Sequence, residues 1–217
     1  KLSGAALSAL SGKDLTGQLR FGIPTDYAQD FINFFLPVLS AEVPNLEARI
    51  ICDRSRNLRK LVSRGKLDIA IVAAEPEYSD ELMLWSERLV WATSTAAHPE
   101  RESPLPVAML EDNCIVRDLC REDLQQSGLP FRTVFGSPVL DNIVTAVELG
   151  QAISLLPESL LTHKTRILPN ELIPSQRIMQ INMISADGVN DSVLNRVSAC
   201  FRVAIDKKNK SSERSQP

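Results

Sequence analysis

The sequence predicts an α/β protein built on parallel strands, and three observations carry the prediction. Over residues 17–75, short apolar runs alternate with helix-period runs in the order β-α-β-α-β. The strand segments there (QLRFGI at 18–23, EARIIC at 47–52, LDIAIVAA at 67–74) are largely apolar, as strands covered by helices on both faces require. The same alternation restarts beyond a proline-rich segment, HPERESPLP at 98–106. With 217 residues, 44% of them hydrophobic, the chain can bury one large core or two small ones.

Taken in order, residues 1–16 read as the end of a helix, with Leu2, Ala5, Ala6, Ala9 and Leu10 at helical spacing, followed by a linker. The strand at 18–23 ends at Pro24, which cannot donate to a ladder. Thr25 or Asp26 is placed to cap the next helix, which carries Phe31, Phe34, Phe35, Val38 and Leu39 and stops near Pro44. After the strand at 47–52, the DRS at 53–55 opens a second helix with Ser55 in capping position. Its buried stripe is Leu58, Leu61 and Val62, and Gly65 supplies a left-handed stop. Asp68 enters near the amino end of the next strand, within reach of backbone donors, and reads as structural. Residues 88–94 form a strand and 98–106 a surface connection. Further strands are predicted at 113–116, 131–135, 152–155 and 177–184, and helices at 118–127, 141–149, 157–161 and 191–206. The last helix is amphipathic through Leu194, Val197, Phe201 and Ile205, and 207–217 reads as a disordered tail.

Composition removes several classes. The net charge of −3 argues against a wide DNA-gripping face. Arg49, Arg54, Arg56, Arg59, Lys60, Arg64 and Lys66 do cluster, and read as a solvated helix face. Cys52, Cys114, Cys120 and Cys200 are scattered, with no CxxC, and suit a cytoplasmic protein with free thiols. Cys114, beside Ile115 and Val116, reads as an inert buried thiol. Two histidines, His98 and His163, leave little for a metal centre or for acid–base chemistry, and no metal or cofactor is expected. No apolar run is long enough to span a membrane, and no secretion signal is visible.

Four elements match a known pattern in order and spacing: GQLRFGIP at 17–24, GKLDIAI at 65–71, HP at 98–99 and LPES at 156–159. Across residues 17–206 the chain resembles the effector-binding domain of LysR-type transcriptional regulators. The resemblance implies a periplasmic-binding-protein-like fold of two Rossmann-like subdomains joined by a two-strand hinge. Subdomain I is then 17–94 plus 188–206 and subdomain II 95–187, with crossovers near 94–97 and 185–188. It also implies a winged helix-turn-helix ahead of such a domain, with residues 1–16 ending its linker helix. The chain is therefore expected to sense, and to meet DNA only through an N-terminal domain absent from these residues.

The resemblance places an effector pocket in the cleft between subdomains, at the loops that follow the strands. Mapped onto this chain, those loops hold Thr25, Asp26, Ser55, Arg56, Thr93, Ser94, Arg117, Ser137 and Pro138. Arg54 and Arg56 flank Ser55 and suit an anion, whereas Asp26 opposes one. Arg117, read as following a buried CIV strand, is expected to need a partner such as Asp118 or an effector anion. The family also pairs the helix of Phe31, Phe34 and Phe35 with a partner's helix, here Ile143, Val144 and Val147, in a homodimer or homotetramer. The alternative is that these aromatics cover their own sheet.

The expected function is thus small-molecule sensing and dimerisation for a regulator in the cytoplasm. A solute-binding protein of a transport system shares the fold but needs export. An enzyme on this fold would need a nucleophile–base pair, metal cluster or phosphate-binding loop, and the sequence displays none.

Overall fold

The computed structural model describes residues 17–214, without the side chains of 209 and 211–214. The expected linker helix at 1–16 lies outside the described residues. The chain divides into two compact units. The first runs up to Leu84 and resumes at Ile181; the second is Trp85–Gln180.

The first unit is built on β1 (Gly17–Pro24), which pairs in parallel with β2 (Leu46–Asp53) and β3 (Ile69–Ala73). β9 (Arg177–Ser185) adds an antiparallel neighbour to β3 through Ile181–Ser185. Alternate β1 side chains point to opposite faces. Phe21 packs on one face with Phe31, Phe35 and Phe201, the last two stacked with ring centroids 3.8 Å apart. These rings come from the helical run after β1 and from α6 (Asp191–Arg214). On the other face α3 (Ser55–Ser63) lays Leu58 and Val62 against Leu67, Ala70 and Val72.

The helical run after β1 is not uniform. A 3-10 turn (Thr25–Tyr27) leads into α1 (Ala28–Asp30), a π turn (Phe31–Phe35) and α2 (Leu36–Glu42). Its cap position is Pro24, and no side chain caps it, so neither Thr25 nor Asp26 plays the expected capping role. Both instead lie inside the first turn and are exposed. α3 ends as its sequence predicts: Gly65 has φ +64°, its N–H reaches the Val62 carbonyl (2.9 Å), and the Lys66 N–H reaches that of Leu61 (2.8 Å). Asp68 then accepts from the Arg20 backbone N–H (2.7 Å), Nε (3.1 Å) and Nη2 (2.6 Å). That contact raises the Arg20 pKa and binds the start of β3 to β1.

In the second unit β4 (Leu82–Ser94) pairs antiparallel with β7 (Ser154–Pro157) and β8 (Thr165–Ile167), and β5 (Leu105–Leu110) pairs in parallel with β6 (Phe131–Ser137). α4 (Ile115–Ser127) and α5 (Leu140–Glu148) cover this framework, with Ala92, Ala108, Leu140, Ile143, Val147 and Leu156 at its core.

Three expectations change here. The strand expected at 113–116 is instead β5 at Leu105–Leu110, inside and beyond the stretch read as a surface connection. Pro106 lacks an N–H but needs none, because it serves through its carbonyl, which accepts from Ile153 N–H (2.9 Å). Asn113 turns the chain at φ 64°, and Ile115 and Val116 then open α4. The final helix continues to Arg214, beyond the predicted end at 206, because Lys207–Arg214 contains no glycine or proline to stop it. Finally, the units divide within strands, at Leu84/Trp85 in β4 and Gln180/Ile181 in β9, rather than at the loops at 94–97 and 185–188.

Candidate functional site

Parallel strands deliver their following loops, and the helix N-termini those loops open, to one edge of a sheet. In the first unit that edge gathers the loops after β1, β2 and β3. Pro24 and Asp53 are register partners, so Thr25 and Asp26 follow one strand end while Arg54, Ser55 and Arg56 follow its neighbour. Ser55 is not the cap of α3. Arg54 occupies that position, and Asp53 anchors the turn by accepting from Arg54 N–H (2.7 Å) and Asn57 Nδ2 (3.0 Å). The Ser55 Oγ instead accepts from the Ala73 N–H at the end of β3 (3.0 Å), tying two strand ends together. Arg56 donates its Nε to Glu75 (2.6 Å). Thr25, Asp26, Ser55 and Arg56 are therefore brought to one edge.

The second unit repeats the arrangement. Leu110 and Ser137 are register partners at the ends of β5 and β6. Arg117 lies in the first turn of α4 rather than after a CIV strand, and reaches back to donate to the Leu110 carbonyl (2.9 Å) and to pair with Asp112 (3.0 Å). The Ser137 Oγ accepts from Val139 N–H and Asn142 Nδ2, both at 3.1 Å, while Pro138 beside it is exposed. Arg117, Ser137 and Pro138 thus share one edge.

Thr93 and Ser94 do not join it. Both are buried at the end of β4, against β8. Thr93 donates to Glu100, and Ser94 donates to the Glu148 carbonyl (3.1 Å). Glu100 also takes Arg166 and His98. Burial alone raises a carboxyl's pKa, yet its own backbone N–H, Arg166, His98 and Thr93 together hold Glu100 at about 2.

Phe31 and Phe35 lie in the first unit's core, and Ile143 and Val147 in the second's. Each covers its own sheet, so these four are not available to a partner. Phe34 and Val144 are half-buried, and sequence reasoning passed over two more exposed apolar neighbours, Ile32 (56% exposed) and Leu149 (67%). The basic cluster is not wholly solvated either: Arg59 is buried, donating to Glu81 and to the Ala73 carbonyl (2.8 Å) with Tyr78 under its guanidinium. The buried thiols are Cys120, pushed by burial to about 12, and Cys200, also raised by burial, while Cys114 is half-buried at the start of α4. Among the described residues no cluster suits a metal ion, and no helix is long and apolar enough to cross a membrane.

Two α/β units whose parallel strands each end in a polar loop edge, joined by two strands, define the periplasmic-binding-protein-like class of two-subdomain binding domains. Within that class, the chain belongs to the LysR substrate binding domain family, whose model matches residues 12–184. It is 26% identical over 154 residues to the HTH-type transcriptional regulator DgdR of Burkholderia cepacia, covering 71% of this chain and 52% of that protein. It is likewise 26% identical over 162 residues to a hydrogen peroxide-inducible genes activator of Haemophilus influenzae, covering 70% of this chain and 54% of that one. The chain spans about half the length of the curated relatives it matches. Among solved structures, the reduced regulatory domain of OxyR2 from Vibrio vulnificus superposes with a TM-score of 0.71 at 15% identity, covering 90% of this chain and 99% of that one. The reduced form of OxyR gives 0.65 at 22% identity, covering 88% and 97%. At these identities the superpositions carry the fold.

Proposed function

We propose that this chain is the effector-sensing part of a LysR-type transcriptional regulator. It binds a small molecule at the strand-end loops and passes the change to DNA-binding heads elsewhere in the assembled dimer or tetramer. One observation carries the reading: each unit brings at least one small hydroxyl and a guanidinium to the carboxyl edge of its parallel strands. In the first unit these are Thr25, Ser55 and Arg56; in the second, Arg117 and Ser137. Such an edge suits recognition of a polar organic molecule. Nothing there pairs a nucleophile with a base, so binding rather than turnover is the function it supports. The effector acts by favouring one arrangement of the regulator over another.

The peroxide-inducible relatives raise thiol oxidation as a second signal. Burial raises the pKa of both Cys120 and Cys200, keeping them as protonated thiols at neutral pH, and the thiolate is the form that attacks peroxide. That chemistry favours small-molecule sensing over oxidation at these two positions.

A thermal-shift screen of polar metabolites tests the proposal. A compound present at a hundredfold its Kd stabilises the fold by about 2.7 kcal/mol. That gain should fall at least tenfold in apparent affinity in Ser55→Ala, each protein being compared with its own ligand-free melting. An unchanged affinity in Ser55→Ala would remove Ser55 from the site. Binding abolished by changes elsewhere in the chain, with Thr25, Arg56, Arg117 and Ser137 all indifferent, would overturn the strand-end reading.

A further inference from the structure

The two strands that carry the chain between units are each gripped on both sides of the division by buried polar groups. In the first unit the centre is Glu81, just ahead of β4. Its carboxylate accepts from both terminal nitrogens of Arg59 on α3, one at 3.0 Å, and from the Asn182 Nδ2 on β9 at 3.1 Å. Arg59, the Glu81 side chain and Asn182 are only 9%, 11% and 4% exposed. Arg59 also bonds the Ala73 carbonyl at the end of β3 and stacks over Tyr78, 4.2 Å from its ring centroid, so it holds both ends of the connector from β3 to β4.

In the second unit the centre is Asp123, on the buried face of α4. One oxygen accepts from the Trp91 Nε1 on β4 (3.0 Å), and the other from Arg177 on β9 through Nε and Nη2, both at 2.9 Å. The Asp123 side chain is 2% exposed. In each unit, then, one buried carboxylate binds both crossing strands to a helix of that unit. The divisions at Leu84/Trp85 and Gln180/Ile181 fall between the two grips on each strand.

The geometry points to Glu81 and Asp123 as paired staples that confine bending between the units to residues 82–90 and 178–181. Fully paired, a buried carboxylate resists displacement, because moving either strand strands a charge away from water. Between the staples the described side-chain ties lie at the surface rather than buried: Met83 and Ile178 are exposed, Arg88 pairs with Glu158, and Ser159 donates to Glu87. The first staple is also one helical turn from Ser55 and Arg56, so a displacement at the start of α3 reaches the root of both strands through Arg59. The assignment stands whatever molecule the strand-end loops bind.

Glu81→Gln and Asp123→Asn keep shape and remove charge. Hydrogen exchange by mass spectrometry on the intact chain should show amides of 74–84 and 181–185 exchanging at least tenfold faster in Glu81→Gln, with 105–137 unchanged. Asp123→Asn should do the converse for 85–94 and 177–180. Dye pairs at the exposed positions 64 and 125, in a background with the other cysteines replaced, should report a broader inter-unit distance distribution in both variants. Faster exchange with an unaltered distance distribution would mean the carboxylates only stabilise their own units, and would overturn the proposal. So would exchange that rises uniformly across both units. Should either carboxamide variant fail to fold, Arg59→Lys and Arg177→Lys keep the charge but lose the guanidinium fork, and the same two readouts apply.

Discussion

At Gly22 a single hydrogen atom decides packing. A Cβ built there would lie 2.6 Å from the Leu67 Cδ1, 2.9 Å from the Leu58 Cδ2 and 3.0 Å from the Ala70 Cβ. The RFGIP segment can therefore carry nothing larger under α3, and Gly22→Ala should cost about 1–3 kcal/mol in urea denaturation through overpacking. A loss below about 0.5 kcal/mol would show that Leu67 and Leu58 reorient freely. Glu100 gives a second residue-level test, with a sign that can be worked out. Its folded pKa of about 2 lies below its ordinary 4.5, so the stability it confers is fully present above pH 4.5 and is lost as pH falls through 2. Between pH 6 and 3, the urea midpoint of the natural chain should therefore fall further than that of Glu100→Gln. Parallel slopes would deny Glu100 its bonded, ionised state. This site was legible only as the HP pair at 98–99; its partners Thr93 and Arg166 are joined by tertiary pairing of β4 with β8, which no local pattern encodes.

Among the elements, those with a strong local signal were readable. Strands β1, β2, β3 and β9, and α3 with its glycine stop, follow from apolar runs and end chemistry alone. β5 escaped because prolines at 104 and 106 mimic a loop, although the strand draws on the Pro106 carbonyl rather than an N–H. The candidate site was legible to the extent that it follows from strand ends: Ser55 and Ser137 fall where a parallel sheet puts them. Thr93 and Ser94 also end a strand, but β8 covers that end, and a three-residue strand leaves almost no trace in sequence. The aromatic helix shows how one pattern serves two readings. Phe35 stacks on Phe201 inside the unit, so Phe35→Ala should lose about 3–5 kcal/mol of stability in denaturation. Ile32, one turn away and exposed, should change stability by less than about 0.5 kcal/mol when made Asp. If this helix contributes to the proposed dimer, sedimentation of Ile32→Asp should show a lighter species; an unchanged sedimentation coefficient removes this face from the interface.

For the whole molecule, the division into units makes the chain's continuity unequal. The second unit is one uninterrupted stretch, Trp85–Gln180, whereas the first is assembled from two segments. The second also owns its core, with Ala92, Ala108, Ile143, Val147 and Leu156 packed together, and its own ion pair between the buried Asp123 and the partly exposed Arg177. A contiguous stretch with its own core meets the physical requirements of a domain that folds alone. Residues 85–180 expressed by themselves should therefore melt cooperatively and, in a Trp85→Phe background, show Trp91 emission at the wavelength of a buried indole, because its ring and its bond to Asp123 lie wholly within that stretch. Asp123→Asn in the fragment should lower the midpoint, since it replaces one of the two acceptor oxygens with an N–H that faces either Trp91 Nε1–H or the Arg177 guanidinium, and removes the charge paired with Arg177. A fragment that lacks a cooperative transition would show that the second unit draws stability from the first. Bending between the units would then carry a cost in the folding of each, and unfolding of the intact chain would be a single event rather than two.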